Sequence, residues 1–364
     1  MKILFLALGI FRPEGGIERF NQRVLRVLSE TIEESKSVSL SVISLRDQTA
    51  QPPPIEYIHF KGYSSKKLGA FFGFLKELII QKPNLFLYGH ILFTPIAFVT
   101  KLLFPNSKSI LFIHGIEAWK KPKIIPHWFY RFSYDRILSV SDYSAKTMSE
   151  SFHISRNKFY IIGNSIDITI QDSMIEKKNK LTSKPIIVSV SRLSKQSKHK
   201  NIDKVICSLP TILNEYPNLK YYIIGEGDWR PEIQTLVNGL NLQNVVEFFG
   251  AINDEEKYQI LRRSNLFVLP STKEGFGIVF LEAWASDLPI IASNSGAATE
   301  IIDNGIDGLC VEPIPSKISN AVLFLLKNPK IMIQMAVKGK AKVINYFSYE
   351  IFATKLLEYL NIAK

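Results

Sequence analysis

The sequence contains few cysteines and lacks the motifs of several protein classes. Only Cys207 and Cys310 occur among its 364 residues, too few for a disulfide framework, so a reducing, cytoplasmic setting is expected. No two aspartates are separated by a single residue, and no H-E-x-x-H motif or cysteine cluster occurs. The sequence therefore predicts no metal site. Gly-Lys-Ser and Gly-Lys-Thr are also absent, which excludes a Walker A loop.

Apolar runs of membrane-spanning length are missing too. One long uncharged stretch, residues 83–100, is interrupted by Asn, His and Pro and falls short of the roughly 20 apolar residues that cross a bilayer. Residues 3–11 are apolar, but Arg12-Pro13-Glu14 follows them without the small-residue site at which a leader is cleaved. We therefore expect residues 3–8 to form a buried strand.

Acidic residues are scarce in the first half of the chain. Residues 1–180 hold 25 Lys and Arg against 15 Asp and Glu, whereas residues 181–364 hold 20 against 18. A basic surface attracts nucleic acid, anionic lipid or phosphorylated substrates, and charge alone does not choose among them. Since no RNA- or DNA-binding motif accompanies the basic residues, we expect no nucleic-acid partner.

Short apolar runs alternate regularly with segments of helical period, which is the pattern of parallel α/β sheets. A polar segment, residues 170–183, separates six predicted strands from five later ones. The pattern predicts two doubly wound domains joined by a linker. The expected boundaries are 1–169 for the first domain, 170–183 for the linker, 184–345 for the second domain and 346–364 for a helix that packs back across the junction.

Two consecutive glycines, Gly15 and Gly16, lie between the first predicted strand and the first helix. Ligands bind at this place in open α/β sheets, because free N–H groups and the helix dipole favour anions. A tight turn that merely needs glycine is the alternative. Neither this pair nor Gly225-Glu226-Gly227, where Arg230 replaces the third glycine, completes the G-x-G-x-x-G pattern of dinucleotide sites.

Two cations follow the first predicted strand of the second domain. Arg192 lies just past the strand end, and Lys200 is expected to open the next helix. Both can point into one crevice, where an Arg fork and a Lys point charge suit a diphosphate. The alternatives are a solvated basic loop and, for the lysine, Lys198.

A second loop carries carboxylates and glycines. Glu274 ends the loop after residues 266–269, and Glu282 lies eight residues later in a predicted helix that starts near Gly277. Gly275 and Gly277 let backbone approach a ligand, and N–H groups at the helix start are exposed for a phosphate. Both carboxylates can face the crevice; two solvent-exposed glutamates are the alternative.

Together these residues resemble the retaining nucleotide-sugar glycosyltransferases of family 4, the group 1 glycosyltransferases, over nearly the whole chain. The most specific part is the Glu, seven residues, Glu signature from Glu274 to Glu282. Asn201 stands where the family usually has glycine, and the spacing from Arg192 to Lys200 is longer than usual. Further matches in the first half are Gly15-Gly16, His114-Gly115, Ser139-Val140-Ser141 and Asn164-Ser165-Ile166-Asp167.

The resemblance implies the GT-B fold, in which two Rossmann-like domains face each other across a cleft. It implies that Arg192 and Lys200 hold the donor diphosphate, that Glu274 binds the sugar hydroxyls and that Glu282 binds the ribose. Gly16 would contact the donor phosphate or the reaction centre, and His114 would face the sugar or the acceptor. The expected catalytic residues are Glu274, His114, Arg192 and Lys200; the expected donor-binding residues are Gly15, Gly16, Arg192, Lys200, Glu274, Gly275, Phe276, Gly277, Ile278 and Glu282.

The implied activity is the retaining, metal-independent transfer of a hexose from a nucleotide-diphosphate sugar to a hydroxyl of a saccharide or lipid-linked acceptor. The expected setting is cell-surface polysaccharide assembly, with no cofactor beyond the donor substrate. Two alternatives stay open: a nucleotide-sugar 2-epimerase of the same fold and a noncatalytic nucleotide-sugar-binding module. The motifs do not choose among UDP, GDP and ADP donors, nor do they identify the sugar or the acceptor.

Two segments of the first domain place lysines beside aromatic residues, which suits anionic headgroups and the membrane interface. We therefore expect peripheral binding at the inner face of the cell membrane. The alternative is that the aromatic side chains lie in the core while the lysines are solvated. The residues concerned are Lys66, Lys67, Phe71, Phe72, Phe74, Lys76 and Lys82 in one segment and Trp119, Lys120, Lys121, Lys123, Trp128 and Arg131 in the other.

Overall fold

A computed structural model of the chain describes residues 1–11, 15–35, 38–48, 58–120, 125–166 and 184–362. The chain divides into two compact units. Residues 1–164 and 349–364 form the first unit, and residues 165–348 form the second. The expected linker, residues 170–183, lies outside the described residues.

The first unit is built on a seven-stranded parallel sheet with the strand order β3-β2-β1-β4-β5-β6-β7. Its strands are β1 (Lys2–Ala7), β2 (Ser39–Ser44), β3 (Ile58–Gly62), β4 (Leu85–Tyr88), β5 (Lys108–Ile113), β6 (Arg136–Ser139) and β7 (Phe159–Ile161). The helices between them are α1 (Gly16–Ser35), α2 (Lys67–Gln81), α3 (Thr94–Leu103), α4 (His127–Ser133) and α5 (Asp142–Phe152).

Alternate residues of these strands point to opposite faces of the sheet, so each face has its own helices. On one face, Leu4 and Leu6 of β1 share a buried core with Phe74 of α2, Ala97 of α3 and Tyr130 of α4. α5 joins the same core through other buried residues. The helices α2 to α5 therefore cover one side of the sheet.

The second unit is built on a six-stranded parallel sheet with the strand order β10-β9-β8-β11-β12-β13. Its strands are β8 (Ile186–Val190), β9 (Lys220–Ile224), β10 (Val246–Gly250), β11 (Leu266–Leu269), β12 (Ile290–Ser293) and β13 (Gly308–Val311). Its helices are α6 (Ile202–Leu213), α7 (Arg230–Gly239), α8 (Asp254–Arg263), α9 (Ile278–Ala285), α10 (Ala298–Ile301), α11 (Pro315–Lys327) and α12 (Pro329–Tyr346).

The last helix, α13 (Tyr349–Leu360), belongs to the first unit although it follows the second in sequence. It packs on α1 on the opposite side of the first sheet from α2 to α5. The rings of Phe352 and Phe20 meet edge to face with centroids 5.4 Å apart, and Phe20 in turn contacts Phe112 of β5. The Tyr349 hydroxyl also lies 2.5 Å from a carboxylate oxygen of Glu30.

The prediction of parallel α/β sheets is confirmed, but two strands were not predicted from the sequence. Both β3 and β13 are edge strands, each paired with only one neighbour. An edge strand is less buried than a central one, and β3 is accordingly a mixture of apolar and polar residues with no continuous apolar run. Within the part of the chain that the structure describes, no helix combines the length and the apolar character needed to traverse a bilayer.

Candidate functional site

The strand order reverses at one place in each sheet, between β1 and β4 and between β8 and β11. Open α/β sheets bind ligands beside the carboxyl ends of the strands at such a switch point. In the second unit, Arg192 follows β8 and Glu274 lies within the loop after β11. Two predicted site residues therefore come from the two adjacent strand ends at which a ligand is expected.

The loops after β8 and β11 are joined by direct hydrogen bonds. The side-chain amide of Asn201 donates to the Pro270 carbonyl at 2.7 Å, and the Thr272 N–H donates to the His199 carbonyl at 2.9 Å. Between these contacts the Lys200 ammonium donates to Oε1 of Glu274 at 2.5 Å. The structure thus brings Lys200 and Glu274 together as an ion pair whose carboxylate is buried.

The prediction that Lys200 opens the next helix is wrong. Lys200 ends a short 3-10 segment, Lys195–Lys200, and α6 begins only at Ile202. Asn201 between them has a φ of 57°, in the left-handed region that Gly and Asn tolerate best. This conformation explains why Asn can stand where the family usually has glycine.

The competing lysine, Lys198, points to different partners. Its ammonium lies 2.7 Å from a carboxylate oxygen of Glu232 on α7 and 5.6 Å from the centre of the Trp229 ring. The structure therefore places Lys200, and not Lys198, beside Glu274.

The segment Gly275–Ile278 leads into α9 and offers a ligand mainly its backbone. Gly277 precedes the helix with a φ of 91°, and a Cβ at this position would lie 2.5 Å from the Phe280 ring. A helix leaves its first N–H groups without intrahelical partners, so the start of α9 can accept an anion. The Phe276 ring is buried and packs edge to face on Phe347, with centroids 5.6 Å apart.

Glu282 lies within α9, as predicted, and its side chain is buried. Lys257 of α8 donates to Oε1 of Glu282 at 2.7 Å and also to Oδ1 of Asp254 at 2.9 Å. Because Glu274 is buried as well, the alternative of two solvent-exposed glutamates is wrong. Sequence reasoning missed Lys257, although its position on the face of α8 that carries the buried Ile260 and Leu261 was a usable signal.

We expect Lys257→Met to destabilise the second unit by ~3–5 kcal/mol, because it removes a cation that pairs with the buried Glu282 carboxylate. Denaturant unfolding of Lys257→Met, of Glu282→Gln and of the double variant Lys257→Met/Glu282→Gln completes a double-mutant cycle. The double variant should recover much of the loss. Additive losses would mean that the two side chains are not energetically coupled.

The glycines of Gly225-Glu226-Gly227 have a packing role. A Cβ on Gly225 would lie 1.9 Å from the Ser191 carbonyl oxygen, and one on Gly227 would lie 2.3 Å from that of Leu193. The loop after β9 therefore approaches the loop after β8 backbone to backbone. Arg192 is exposed within this packed loop, and its side chain is available to a ligand at the switch point.

At the switch point of the first unit, Gly15 precedes α1 and Gly16 is its first residue. Among the described residues, none beyond its near neighbours in the chain comes within 4 Å of the position that a Cβ on Gly16 would take. His114 follows β5, and its Nε2 lies 3.1 Å from the Gly89 carbonyl oxygen. Since a carbonyl only accepts, Nε2 carries the proton and Nδ1 is an acceptor. Glu117 accepts hydrogen bonds from the backbone N–H groups of His114 and Gly115.

His90 is a residue that sequence reasoning did not assign to this site. It follows β4 almost directly, at the switch point, and its Nδ1 accepts the Leu92 N–H at 3.1 Å. Burial lowers the pKa of His90 to about 4, although the nearby Glu117 carboxylate opposes the shift. Burial also lowers the pKa of His114. Both imidazoles are therefore neutral at neutral pH.

This burial predicts an acid sensitivity of the first unit. Between the unfolded pKa of about 6.5 and the folded pKa of about 4, the unfolded state binds a proton that His90 in the folded state does not. His90 thus contributes on the order of 3 kcal/mol to the free energy of unfolding. This contribution is fully present above the unfolded pKa and is lost as pH falls towards the folded pKa. Denaturant unfolding at about pH 7.5 and about pH 4.5 should show a smaller acid loss in His90→Asn than in the unchanged protein. Equal losses would contradict the prediction.

One protein-family model matches most of the second unit. Residues 170–342 match the model of the family described as glycosyl transferases group 1. The match includes Arg192, Lys200, Glu274 and Glu282. The resemblance predicted from the motifs is confirmed: residues 170–342, just under half of the chain, match group 1 glycosyltransferases.

The curated relatives include two proteins that are named as mannosyltransferases. Mouse alpha-1,3/1,6-mannosyltransferase ALG2 is 28% identical over 241 residues, which are 62% of this chain and 58% of that protein. The GDP-mannose-dependent alpha-(1-6)-phosphatidylinositol monomannoside mannosyltransferase of Mycobacterium tuberculosis is 28% identical over 194 residues, 51% of this chain and 50% of that protein. The matches thus span less than two thirds of these relatives.

A solved structure shares the fold over the whole chain. The crystal structure of Anabaena Alr3699/HepE in complex with UDP aligns with a TM-score of 0.77 at 17% identity and covers 99% of this chain and 100% of that one. The predicted fold class, α/β with two Rossmann-like domains as in GT-B glycosyltransferases, is confirmed.

Proposed function

We propose that this protein transfers a hexose from a nucleotide-diphosphate sugar to a hydroxyl acceptor, with retention of the anomeric configuration and without a metal ion. The observation that carries the proposal is the Lys200–Glu274 pair at the switch point of the second sheet, 2.5 Å apart. Arg192 stands at the adjacent strand end. A cation pair beside a carboxylate suits a ligand that joins a diphosphate to a polyhydroxylated sugar.

Each group has a defined task in this proposal. Arg192, Lys200 and the N–H groups at the start of α9 hold the diphosphate, and they stabilise the negative charge that grows on it as the sugar departs. The Glu274 carboxylate accepts hydrogen bonds, which suits sugar hydroxyls. Glu282, oriented by Lys257, binds the ribose. Gly15, Gly16 and the neutral His114 of the first unit are assigned to the reaction centre and the acceptor.

The step itself needs no protein nucleophile. The acceptor oxygen attacks the anomeric carbon from the face that the diphosphate leaves, so the new carbon–oxygen bond replaces the old one with the same configuration. The bonding electron pair departs with the phosphate oxygen, and that oxygen takes the acceptor proton. The protein contributes positioning and fixed positive charge.

The names of the relatives support GDP-mannose as the donor. One is called an alpha-1,3/1,6-mannosyltransferase and another a GDP-mannose-dependent mannosyltransferase. We therefore propose mannosyl transfer to a saccharide or lipid-linked acceptor on the cytoplasmic side of the cell membrane, in cell-surface glycoconjugate synthesis.

Thermal unfolding of the full chain with GDP-mannose, UDP-glucose, UDP-galactose and UDP-N-acetylglucosamine tests the donor. A ligand at about 100 times its Kd stabilises the folded state by ~2.7 kcal/mol, so GDP-mannose should raise the Tm most. Stabilisation by a UDP-sugar alone would overturn the choice of donor. No stabilisation by any of the four would overturn the proposed site.

Proton NMR of the reaction with a mannoside acceptor tests the chemistry. We expect an α-mannoside as the first product and an unchanged rate with EDTA. A β-linked product would exclude retention, and loss of activity with EDTA would exclude metal independence. Epimerisation of a donor at C2 without acceptor would instead indicate the 2-epimerase, and binding without turnover would indicate the noncatalytic module.

A further inference from the structure

Helix α2 is apolar on two opposite sides. Phe74 and Leu78 face the core of the first unit and are 2% and 3% exposed. On the other side, Leu68, Phe72 and Ile79 are 76%, 65% and 75% exposed. Their spacing of four and seven residues places these three on one stripe of the helix. A surface helix ordinarily carries polar residues on the side that faces away from the core. Packing in the core of the first unit therefore does not explain why this stripe is apolar.

Two further helices on the same side of the sheet also expose apolar side chains. α3 exposes Leu102 and Leu103, and α4 exposes Trp128; α3 and α4 are joined by Phe98 and Phe129, whose rings stack 4.1 Å apart. Four helices, α2 to α5, pack on this side of the sheet. α5 exposes Asp142 and Glu150, so the apolar layer consists of the outward surfaces of α2, α3 and α4. We call this layer the outer face; its exposed apolar side chains are Leu68, Phe71, Phe72, Ile79, Ile80, Val99, Leu102, Leu103, Trp128 and Phe132.

The outer face presents no negative charge from its own helices. Glu77 is the one carboxylate in the sequences of α2, α3 and α4, and it is 1% exposed. It points inward, where it accepts hydrogen bonds from Lys61 at 2.8 Å and Ser41 at 3.3 Å. The exposed charges within these helices are positive, Lys67, Lys76 and Arg131, and the exposed Lys66 and Lys82 flank α2. The exposed Asp135, just beyond α4, is paired with Lys101 of α3 at 2.8 Å.

We propose that the outer face docks the first unit on the anionic surface of a lipid bilayer. The apolar and aromatic side chains would enter the interfacial layer while the lysines contact the headgroups, each contributing electrostatic attraction. A second copy of the chain is a poorer occupant, because face-to-face contact would oppose two sets of lysines, whereas like charges across an interface are unfavourable. Anionic headgroups neutralise the same lysines.

The docking surface differs from the two sequence segments that first suggested membrane binding. Phe74 of the first segment is a core residue. In the second segment, Trp119 is half-buried and donates from Nε1 to the Ser144 hydroxyl at 3.1 Å. Lys121 and Lys123 lie outside the described residues. The contribution of α3, which neither segment contains, follows from the packing of α3 on α4.

Cosedimentation of the full chain with vesicles tests the proposal. We expect binding to vesicles of phosphatidylcholine with phosphatidylglycerol at low salt, weakening with added salt, and little binding to phosphatidylcholine alone. Leu68→Glu/Phe72→Glu should reduce binding at least ~10-fold, since it puts two negative charges on the stripe. Lys67→Ser should weaken it about fivefold, the factor that corresponds to the contribution of one lysine near an anionic surface.

A matched control comes from α12 of the second unit. Ile333 and Val337 are also four residues apart and are 47% and 60% exposed. Ile333→Glu/Val337→Glu adds the same charge and should leave vesicle binding unchanged. Equal losses in both double variants would show that net charge alone controls binding and would overturn the outer face as the site.

Fluorescence adds a readout that reports the position of the outer face. Trp128 is 57% exposed, whereas Trp229 and Trp284 are buried. Vesicles with brominated lipid should quench the tryptophan emission, and Trp128→Phe should remove most of this quenching. Failure to bind anionic vesicles would overturn the proposal, as would concentration-dependent dimers in sedimentation velocity that only Leu68→Glu/Phe72→Glu abolishes. None of these measurements depends on the proposed donor.

Discussion

Replacing Lys200 with methionine should weaken binding of the nucleoside diphosphate about 10- to 100-fold, because a charge-assisted hydrogen bond to phosphate is worth ~1.5–3 kcal/mol. The rate of transfer should fall further, by ~10²–10³-fold, since the charge on the diphosphate grows as the sugar leaves. Isothermal titration with GDP and UDP measures the first effect without an acceptor, and steady-state kinetics measures the second.

The change also removes the partner of a buried carboxylate, because Glu274 accepts from Lys200 at 2.5 Å. An unsatisfied buried group costs ~1–3 kcal/mol, so the variant should also unfold at a lower temperature. Binding and kinetics of the variant should therefore be measured well below its Tm.

Lys198→Met is the matched control for Lys200→Met. It removes an equal charge two residues away, from a lysine that pairs with Glu232 instead. We expect its nucleotide affinity to stay within about threefold of the unchanged protein. If Lys198→Met lost affinity as strongly as Lys200→Met, a diffuse basic loop would bind the diphosphate, and the assignment to Lys200 would be wrong.

Glu274→Gln should separate recognition of the sugar from recognition of the nucleotide. The amide keeps the size of the side chain but weakens its hydrogen bonds to sugar hydroxyls, because the acceptor is no longer charged. Transfer should fall ~10²–10³-fold, and affinity for the nucleotide sugar should fall by ~10-fold or more. Affinity for the free nucleoside diphosphate should change little.

Glu282→Gln should give a different pattern of affinities. Its carboxylate is assigned to the ribose, so the variant should lose affinity for the nucleoside diphosphate and the nucleotide sugar equally. Titrations of both ligands into both variants give four affinities. If Glu274→Gln reduced the two affinities by the same factor, Glu274 would not be the sugar-binding group.

The local pattern along the chain was sufficient to predict much of the fold. Central strands such as β4 and β11 are continuous apolar runs, since a strand covered on both faces of a parallel sheet has no polar side. The start of α9 near Gly277 followed from glycine beside an apolar helical segment. The edge strand β3 was not predicted, because a less buried strand has a weaker pattern of apolar residues.

Partners of the charged residues depended on the tertiary structure. Lys198 and Lys200 are the same residue type two positions apart, and only the packing of the loop after β11 on the loop after β8 brings Lys200 to Glu274. The pairing of Glu282 with Lys257 joins residues 25 positions apart. The periodicity of α8 indicates that Lys257 is buried but not which residue it contacts, because the partner depends on which strands are neighbours in the sheet.

The same distinction applies to the surface. Phe72 and Phe74 lie two residues apart in one aromatic segment, yet Phe72 is 65% exposed and Phe74 is 2% exposed. Composition showed that aromatics and lysines occur together in this part of the chain. Only the placement of α2 on the sheet decided which of them reach solvent, because a helix turns by about 100° per residue and its rotation is set by the core against which it packs.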